Sequence, residues 1–270
     1  MQIHADVQHK TVQTGGVTTR YFTFGHGPRQ LVILPGLSVQ SVMGAAEAVA
    51  RDYQCLAKDF TVLLPDRRQQ PPAGYTMDQM ARDTAAALQA AGCEHACFFG
   101  ASQGGMLAML IAARHPQLVE KLALGSTAAR LTPAAQAVVA RWIDLARQEN
   151  APALYAAFGQ AIYPPAVWEQ ARPLLAEAAR TVTREELARF VVLAGALPAF
   201  NGARALASVT CPVLLLGDDR DELFGLPAME EMAGCLQANP RVETHVTHGY
   251  GHAAYDLAPG YKERLADFFA

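Results

Sequence analysis

Ser102 sits in the run Gly100-Ala101-Ser102-Gln103-Gly104, and its surroundings are those a nucleophilic serine needs. A serine hydroxyl is a weak nucleophile, so it must be held beside a base and clear of its own backbone. The apolar residues 96–99 lead into the motif, and an Ala/Met/Leu-rich stretch leads out from Gln103. That pattern predicts a sharp strand-to-helix turn carrying the hydroxyl at its tip. Gly100 and Gly104 leave room for neighbouring backbone that a Cβ would obstruct. The helix that follows points its first amides, Gln103 foremost, at the place where negative charge would develop. With 21 glycines in 270 residues, chance supplies such a motif only about 0.03 times per chain.

A base and an acid are needed beside it. The C-terminal stretch His248-Gly249-Tyr250-Gly251-His252-Ala253 offers two imidazoles. His252 follows a glycine, lies between a predicted strand at 242–246 and the last helix, and has small neighbours in Ala253 and Ala254. It is the better placed to reach the turn. His248, at the strand's end, suits a surface or supporting role. The acid would accept a hydrogen bond from the base's Nδ1 and stabilise imidazolium as it forms. The loop Gly217-Asp218-Asp219-Arg220-Asp221-Glu222-Leu223-Phe224 offers three aspartates for that task.

These residues must be positioned by a scaffold, and its elements are legible. Residues 17–24 are rich in β-branched and aromatic types and end at Gly25. Short apolar runs follow at 31–34, 61–64, 96–99 and 213–216, each closed by turn residues, as strands buried on both faces of a parallel sheet would be. Helical stretches lie between them, at 76–91 before Gly92 and at 103–114 before His115-Pro116. The alternation predicts βαβ units with helices on both faces. One connection breaks the rhythm. Over 80 residues separate the strand at 122–124 from Cys211-Pro212, where a whole crossover needs only a dozen or more. This connection reads as helices at 133–149, 151–161, 166–180 and 184–197, punctuated by Pro164-Pro165 and Pro173. A terminal helix is expected at 260–269.

Taken in order, these segments resemble the α/β-hydrolase superfamily over nearly the whole chain. The resemblance rests on Leu34-Pro35-Gly36, Val62-Leu63-Leu64-Pro65-Asp66-Arg67, the serine motif, Ala113-Arg114-His115-Pro116 and Gly251-His252. It implies a mostly parallel eight-stranded sheet with helices on both faces. It also implies a core of residues 1–127 and 208–270, with a helical cap at 128–207 inserted between strands 6 and 7. Relatives order the site as serine, acid, histidine, which makes Ser102 the nucleophile and His252 the base. For the acid, the common Gly-x-x-Asp spacing would land on Arg220. Asp221 is favoured because it precedes an apolar pair and Gly225, with Asp219 the alternative and the remaining aspartates in solvated turns. The oxyanion hole would use the backbone N–H groups of Leu37 and Gln103, with Pro35 where relatives carry histidine. Relatives also continue Asp-x-Arg-Gly-x-Gly after the fourth strand. Here Asp66-Arg67-Arg68-Gln69-Gln70-Pro71-Pro72 has lost the glycines, which implies an altered entrance.

The implied chemistry is hydrolysis of a small or medium carboxylic ester through an acyl-enzyme, with no cofactor and no metal. C–C bond hydrolysis or lactone opening on the same triad remains open, and so does a non-catalytic ligand-binding role. Trp142, Tyr155, Phe158, Tyr163, Trp168 and Phe200 place many aromatics on the cap, most of them as its own core. No cap arginine or lysine marks itself as a carboxylate clamp. The charge of −3 offers no surface for nucleic acid. No run is long and apolar enough to span a bilayer, and MQIHADVQHK lacks the apolar stretch of a signal peptide. The five cysteines, Cys55, Cys93, Cys97, Cys211 and Cys235, lack zinc spacing and fit free thiols in a reducing cytosol. The expectation is a cytoplasmic protein acting on a small molecule, of open oligomeric state.

Overall fold

The computed structural model describes residues 6–270, so residues 1–5 of the N-terminal stretch read above lie outside the described part. The chain opens with a hairpin, β1 (Gln8–Thr14) and β2 (Val17–Phe24). Gly15 and Gly16 turn it, both at positive φ as a tight hairpin requires. The expected strand at 17–24 forms, while β1 has no counterpart in the apolar pattern. It is an edge strand of largely polar residues, exposed along most of its length and paired in the sheet with β2 alone.

Four apolar runs then become strands: β3 (Arg29–Leu34), β4 (Phe60–Pro65), β5 (Ala96–Ala101) and, later, β7 (Val213–Asp218). With β6 (Val119–Gly125) and β8 (Val242–Thr247) they complete an eight-stranded sheet in the order β1-β2-β4-β3-β5-β6-β7-β8. Only the pairings of β2 are antiparallel. The rest are parallel.

Residues along each central strand alternate between two cores, as the pleat demands. Val32, Leu34, Phe98, Leu122 and Leu215 face one side. Leu31, Ile33, Phe99, Ala123 and Leu214 face the other. Each such large side chain contributes roughly 1.5–3 kcal/mol on burial. Helices cover both faces: α1 (Ala46–Asp52), α2 (Met77–Ala90) and α3 (Gln103–Arg114) come from the first half of the chain. The start of α2 is fixed by a capping box, with Thr76 accepting from the Gln79 amide and Gln79 reaching back.

The long connection between β6 and β7 is helical throughout. It holds α4 (Pro133–Arg147), α5 (Ala151–Ile162), α6 (Pro165–Arg180), α7 (Arg184–Gly195) and the short α8 (Ala203–Leu206). Its two ends are pinned together by an antiparallel bridge between Arg130 and Asn201. Gly202 adds a hydrogen bond from its amide to the Ala129 carbonyl at 2.7 Å. Pro173 does not punctuate this region as its sequence position suggests, because α6 runs straight through it. The lost backbone bond is tolerable there because the position is exposed and water can serve the freed carbonyl. After β7 come α9 (Gly225–Cys235), the single turn α10 (Ala254–Leu257) and the terminal α11 (Tyr261–Phe269).

All five cysteines are free thiols, with Cys93 and Cys97 buried and Cys55 exposed. Among the described residues, no helix is long and apolar enough to cross a membrane.

Candidate active site

Ser102 is the residue between β5 and α3, and its backbone lies at φ 52°, ψ −122°, a region that L residues other than glycine rarely occupy. The strain is held from several sides. The Ser102 amide donates to the Gly125 carbonyl at 3.0 Å. Its carbonyl accepts from the Gly105 amide at 2.9 Å and the Thr127 hydroxyl at 2.7 Å. The glycines flanking the serine are there for contact. A Cβ on Gly104 would stand 1.9 Å from the Leu34 carbonyl oxygen, and one on Gly100 2.6 Å from that of Gly104. The first turn of α3 is thereby pressed onto the end of β3, which brings the turn Pro35-Gly36-Leu37 beside Ser102. Neither the Leu37 amide nor the Gln103 amide has an acceptor among the described residues. Two N–H donors are therefore free near the hydroxyl.

His252 and Asp221 arrive from the loops that follow β8 and β7. The His252 Nδ1 lies 3.0 Å from Asp221 Oδ2, with the two side chains only 3% and 1% exposed. The other Asp221 oxygen accepts from the Leu223 amide at 2.9 Å and the Phe224 amide at 3.1 Å. Burial pushes this carboxyl up, but the neighbouring imidazole and the two amides overcome it and hold the group below its ordinary value. Phe224 packs its ring 5.3 Å from that of His252, and Tyr255 closes on it edge-on.

The runner-up residues pair with one another. Asp219 Oδ2 lies 3.0 Å from His248 Nδ1, at the surface. Its carboxyl is lowered by that hydrogen bond and by the Gly249 amide.

Asp218 overturns the expectation of a solvated turn residue. It is wholly buried and ties the two loops together. Its oxygens accept from the amides of Arg220 (2.9 Å), Tyr250 (3.1 Å) and Gly251 (2.9 Å) and from the Thr247 hydroxyl (2.8 Å). The signal for this role was its place as the last residue of an apolar strand.

Ser102, Gln103, His252, Gly36 and Leu37 border one small enclosed cavity of about 40 Å³. The imidazole and the Ser102 hydroxyl share this space without a direct hydrogen bond between them. Such contacts are often long until substrate is bound. The rest of the lining is apolar, with Met106, Val139, Trp142 and Leu197 among it. Of the aromatics expected on the cap, Trp142 and Phe158 reach this cavity. Tyr155 and Tyr163 line an open groove of about 1,110 Å³ that shares Gly36, Leu37, Phe158, Ile162 and Tyr255 with it. Trp168 packs instead against Gly159, and Phe200 lies in the core. Among the described residues, no three His, Cys, Asp or Glu side chains converge as a metal site needs.

Sequence reasoning does not single out Arg189 on α7. It is 4% exposed and forms an ion pair with Asp66 at 3.0 Å. The available signal was its spacing: it stands four residues before Leu193, on the buried stripe of its helix.

Comparison with known proteins identifies the fold family. Residues 31–259 match the family model described as the alpha/beta hydrolase fold. The chain is 26% identical over 236 residues to the Stutzerimonas stutzeri (strain A1501) protein named "Putative carbamate hydrolase RutD", covering 82% of this chain and 85% of that one. Among solved structures, it resembles MGS-M2, an alpha/beta hydrolase enzyme from a Medee basin deep-sea metagenome library. The TM-score is 0.84 at 20% identity, over 96% of this chain and 97% of that one. The enol-lactonase of Burkholderia xenovorans LB400 superimposes with a TM-score of 0.81 at 23% identity, over 96% and 99% of the two chains. At these identities the solved structures establish the shared fold.

Proposed function

This chain belongs to the α/β-hydrolase fold family, and from that premise we propose that it is a serine hydrolase with Ser102 as nucleophile, His252 as general base and Asp221 as the acid that orients it. The observation that carries the reading is the buried His252–Asp221 pair beside the cavity that Ser102 also borders. Asp221 fixes the proton on Nδ1 and leaves Nε2 as the basic atom.

The reaction follows from this arrangement. Nε2 takes the Ser102 proton as Oγ attacks the substrate carbonyl carbon. The carbonyl π pair becomes an oxyanion, stabilised by the amides of Leu37 and Gln103. As the carbonyl re-forms, the bond to the leaving oxygen breaks, and that oxygen takes the proton from Nε2. Water then gives a proton to the same nitrogen as its oxygen bonds to the acyl carbon. On collapse the bond from that carbon to Oγ breaks, Oγ takes the proton back from Nε2, and the acid leaves.

The helices of residues 128–207 act as a cap whose Trp142 and Phe158 roof the site. The lining carries no charged group besides the triad, which favours a partly apolar ester of small or medium size. The test is labelling with a fluorophosphonate, followed by intact mass and a substrate panel. One adduct, lost in Ser102→Ala, supports the reading, and absence of any adduct overturns it. The panel includes esters, lactones, carbamates and vinylogous diketones, so it also reports which acyl chemistry the site prefers.

A further inference from the structure

Helix α7 of the insert is linked to both halves of the oxyanion hole proposed above. One contact is direct: the Gln103 side chain donates through Nε2 to the Leu193 carbonyl at 2.9 Å. The other runs through a buried relay. One turn earlier on the same helix, Arg189 donates through Nη2 to Asp66 Oδ1 and to the Arg67 carbonyl, both at 3.0 Å. Its Nε reaches the Arg68 carbonyl at 3.1 Å. The segment so gripped presents Arg67, whose Nη2 donates to the Pro35 carbonyl at 2.6 Å. Pro35 opens the turn whose third residue, Leu37, supplies the second free amide. Its oxygen is wedged in place, because a Cβ on Gly104 would come within 2.5 Å of it.

We propose that Arg189 and Leu193 of α7 position the two oxyanion donors, so that seating of the inserted helix sets the catalytic geometry. The inference rests on the serine-hydrolase reading and adds to it positioning residues outside the triad.

The charge balance of the relay favours this role over simple cohesion. Asp66, Arg67 and Arg189 are each less than a tenth exposed. The Asp66 carboxylate pairs with two guanidiniums, Arg189 at 3.0 Å and the more exposed Arg20 at 3.5 Å, while that of Arg67 is turned to the Pro35 carbonyl. Burying such a group is poor economy for stability alone, since well-packed apolar side chains commonly do as well or better. What a guanidinium fork offers is direction: fixed N–H vectors hold three oxygens of one loop at once. The relay also lies outside the cavity lining, so it acts on the donors and leaves the substrate untouched.

Three variants of the full chain test this: Arg189→Lys, Arg189→Met and Gln103→Met. Lysine keeps a charge for Asp66 but gathers its donors on one nitrogen, so it cannot reproduce the separate Nε and Nη2 contacts of the fork. Gln103→Met releases the Leu193 carbonyl and removes a buried oxygen, Oε1, that has no partner, so it should fold even where Arg189→Met does not. The readouts are kcat and KM on the best ester, the rate of fluorophosphonate labelling, and the thermal midpoint. For Gln103→Met and Arg189→Lys we expect kcat and labelling to fall roughly ten- to hundredfold, less than the 10²–10³ lost when a donor is deleted outright. KM should stay within about threefold, as befits an interaction made only in the transition state. Where Arg189→Met folds, it should be slower than Arg189→Lys. If the lysine and methionine variants keep kcat and labelling within about twofold, or lose only in KM, the inference is overturned. A wild-type chain that forms no adduct overturns the serine-hydrolase reading and the inference together.

Discussion

His252 Nδ1 and Asp221 Oδ2 meet at 3.0 Å with both side chains shut away from solvent. The same separation joins His248 and Asp219 a few residues away, with the imidazole 74% exposed. Distance therefore does not separate the two pairs. Burial and the shared cavity do, because a hydrogen bond screened from water orients an imidazole that an exposed contact leaves free.

The two aspartates should respond very differently to removal of charge. Asp221→Asn is expected to lower kcat by about 10⁴, the order seen when a triad acid loses its charge elsewhere. Asp219→Asn should stay within about threefold, as exposed pairs contribute little. Steady-state kinetics on one ester decide between them, and a larger loss in Asp219→Asn would reverse the assignment.

Ser102→Ala should abolish turnover, by on the order of 10⁶ in kcat. Its melting temperature should equal or exceed that of the wild type, because alanine there keeps the turn while removing only the hydroxyl. Persistent hydrolysis in a carefully purified variant would exclude Ser102 as nucleophile.

Acid should weaken the fold partly through Asp221. Its carboxyl is held below the ordinary value, so the folded state binds that proton less tightly than the unfolded one. The stability it contributes is complete above the usual carboxylate range near about 4. It is lost as the pH falls through the group's own lower value. Urea titrations at a series of pH values should show the difference between wild type and Asp221→Asn shrinking below about pH 4. A gap that widens there would contradict the sign.

Two glycines offer opposite outcomes. Gly104→Ala places a Cβ 1.9 Å from a backbone oxygen and should cost 1–3 kcal/mol or more, roughly the penalty of overpacking. Gly234→Ala, with nothing within 4 Å and a helical position in α9, should stabilise by a few tenths up to about 1 kcal/mol. Thermal melts compare the two directly.

The thiols should divide by burial. Burial pushes Cys93 to about 11 and Cys97 to about 12, so thiolate is scarce at neutral pH. Native protein treated with a thiol reagent should react first at the exposed Cys55. Peptide mapping that found Cys97 modified ahead of Cys55 would count against the packing described.

The linear chain determined much of this protein, for physical reasons that act locally. A nucleophile at a strand-to-helix turn needs small neighbours on both sides, so Gly100 and Gly104 announce Ser102. Strands buried on both faces need continuous apolar runs, so β3, β4, β5 and β7 are legible, while the polar edge strand β1 carries no such mark. What depends on distant partners was decided only in three dimensions. Asp219 and Asp221 differ by two positions in sequence, and only the fold buries one against His252 and leaves the other at the surface. Asp218 and Arg189 look like ordinary loop and helix charges until the chain brings β8 beside β7 and α7 over the Asp66 loop. A charge's role is set by the groups that surround it, and those come from segments far apart along the chain.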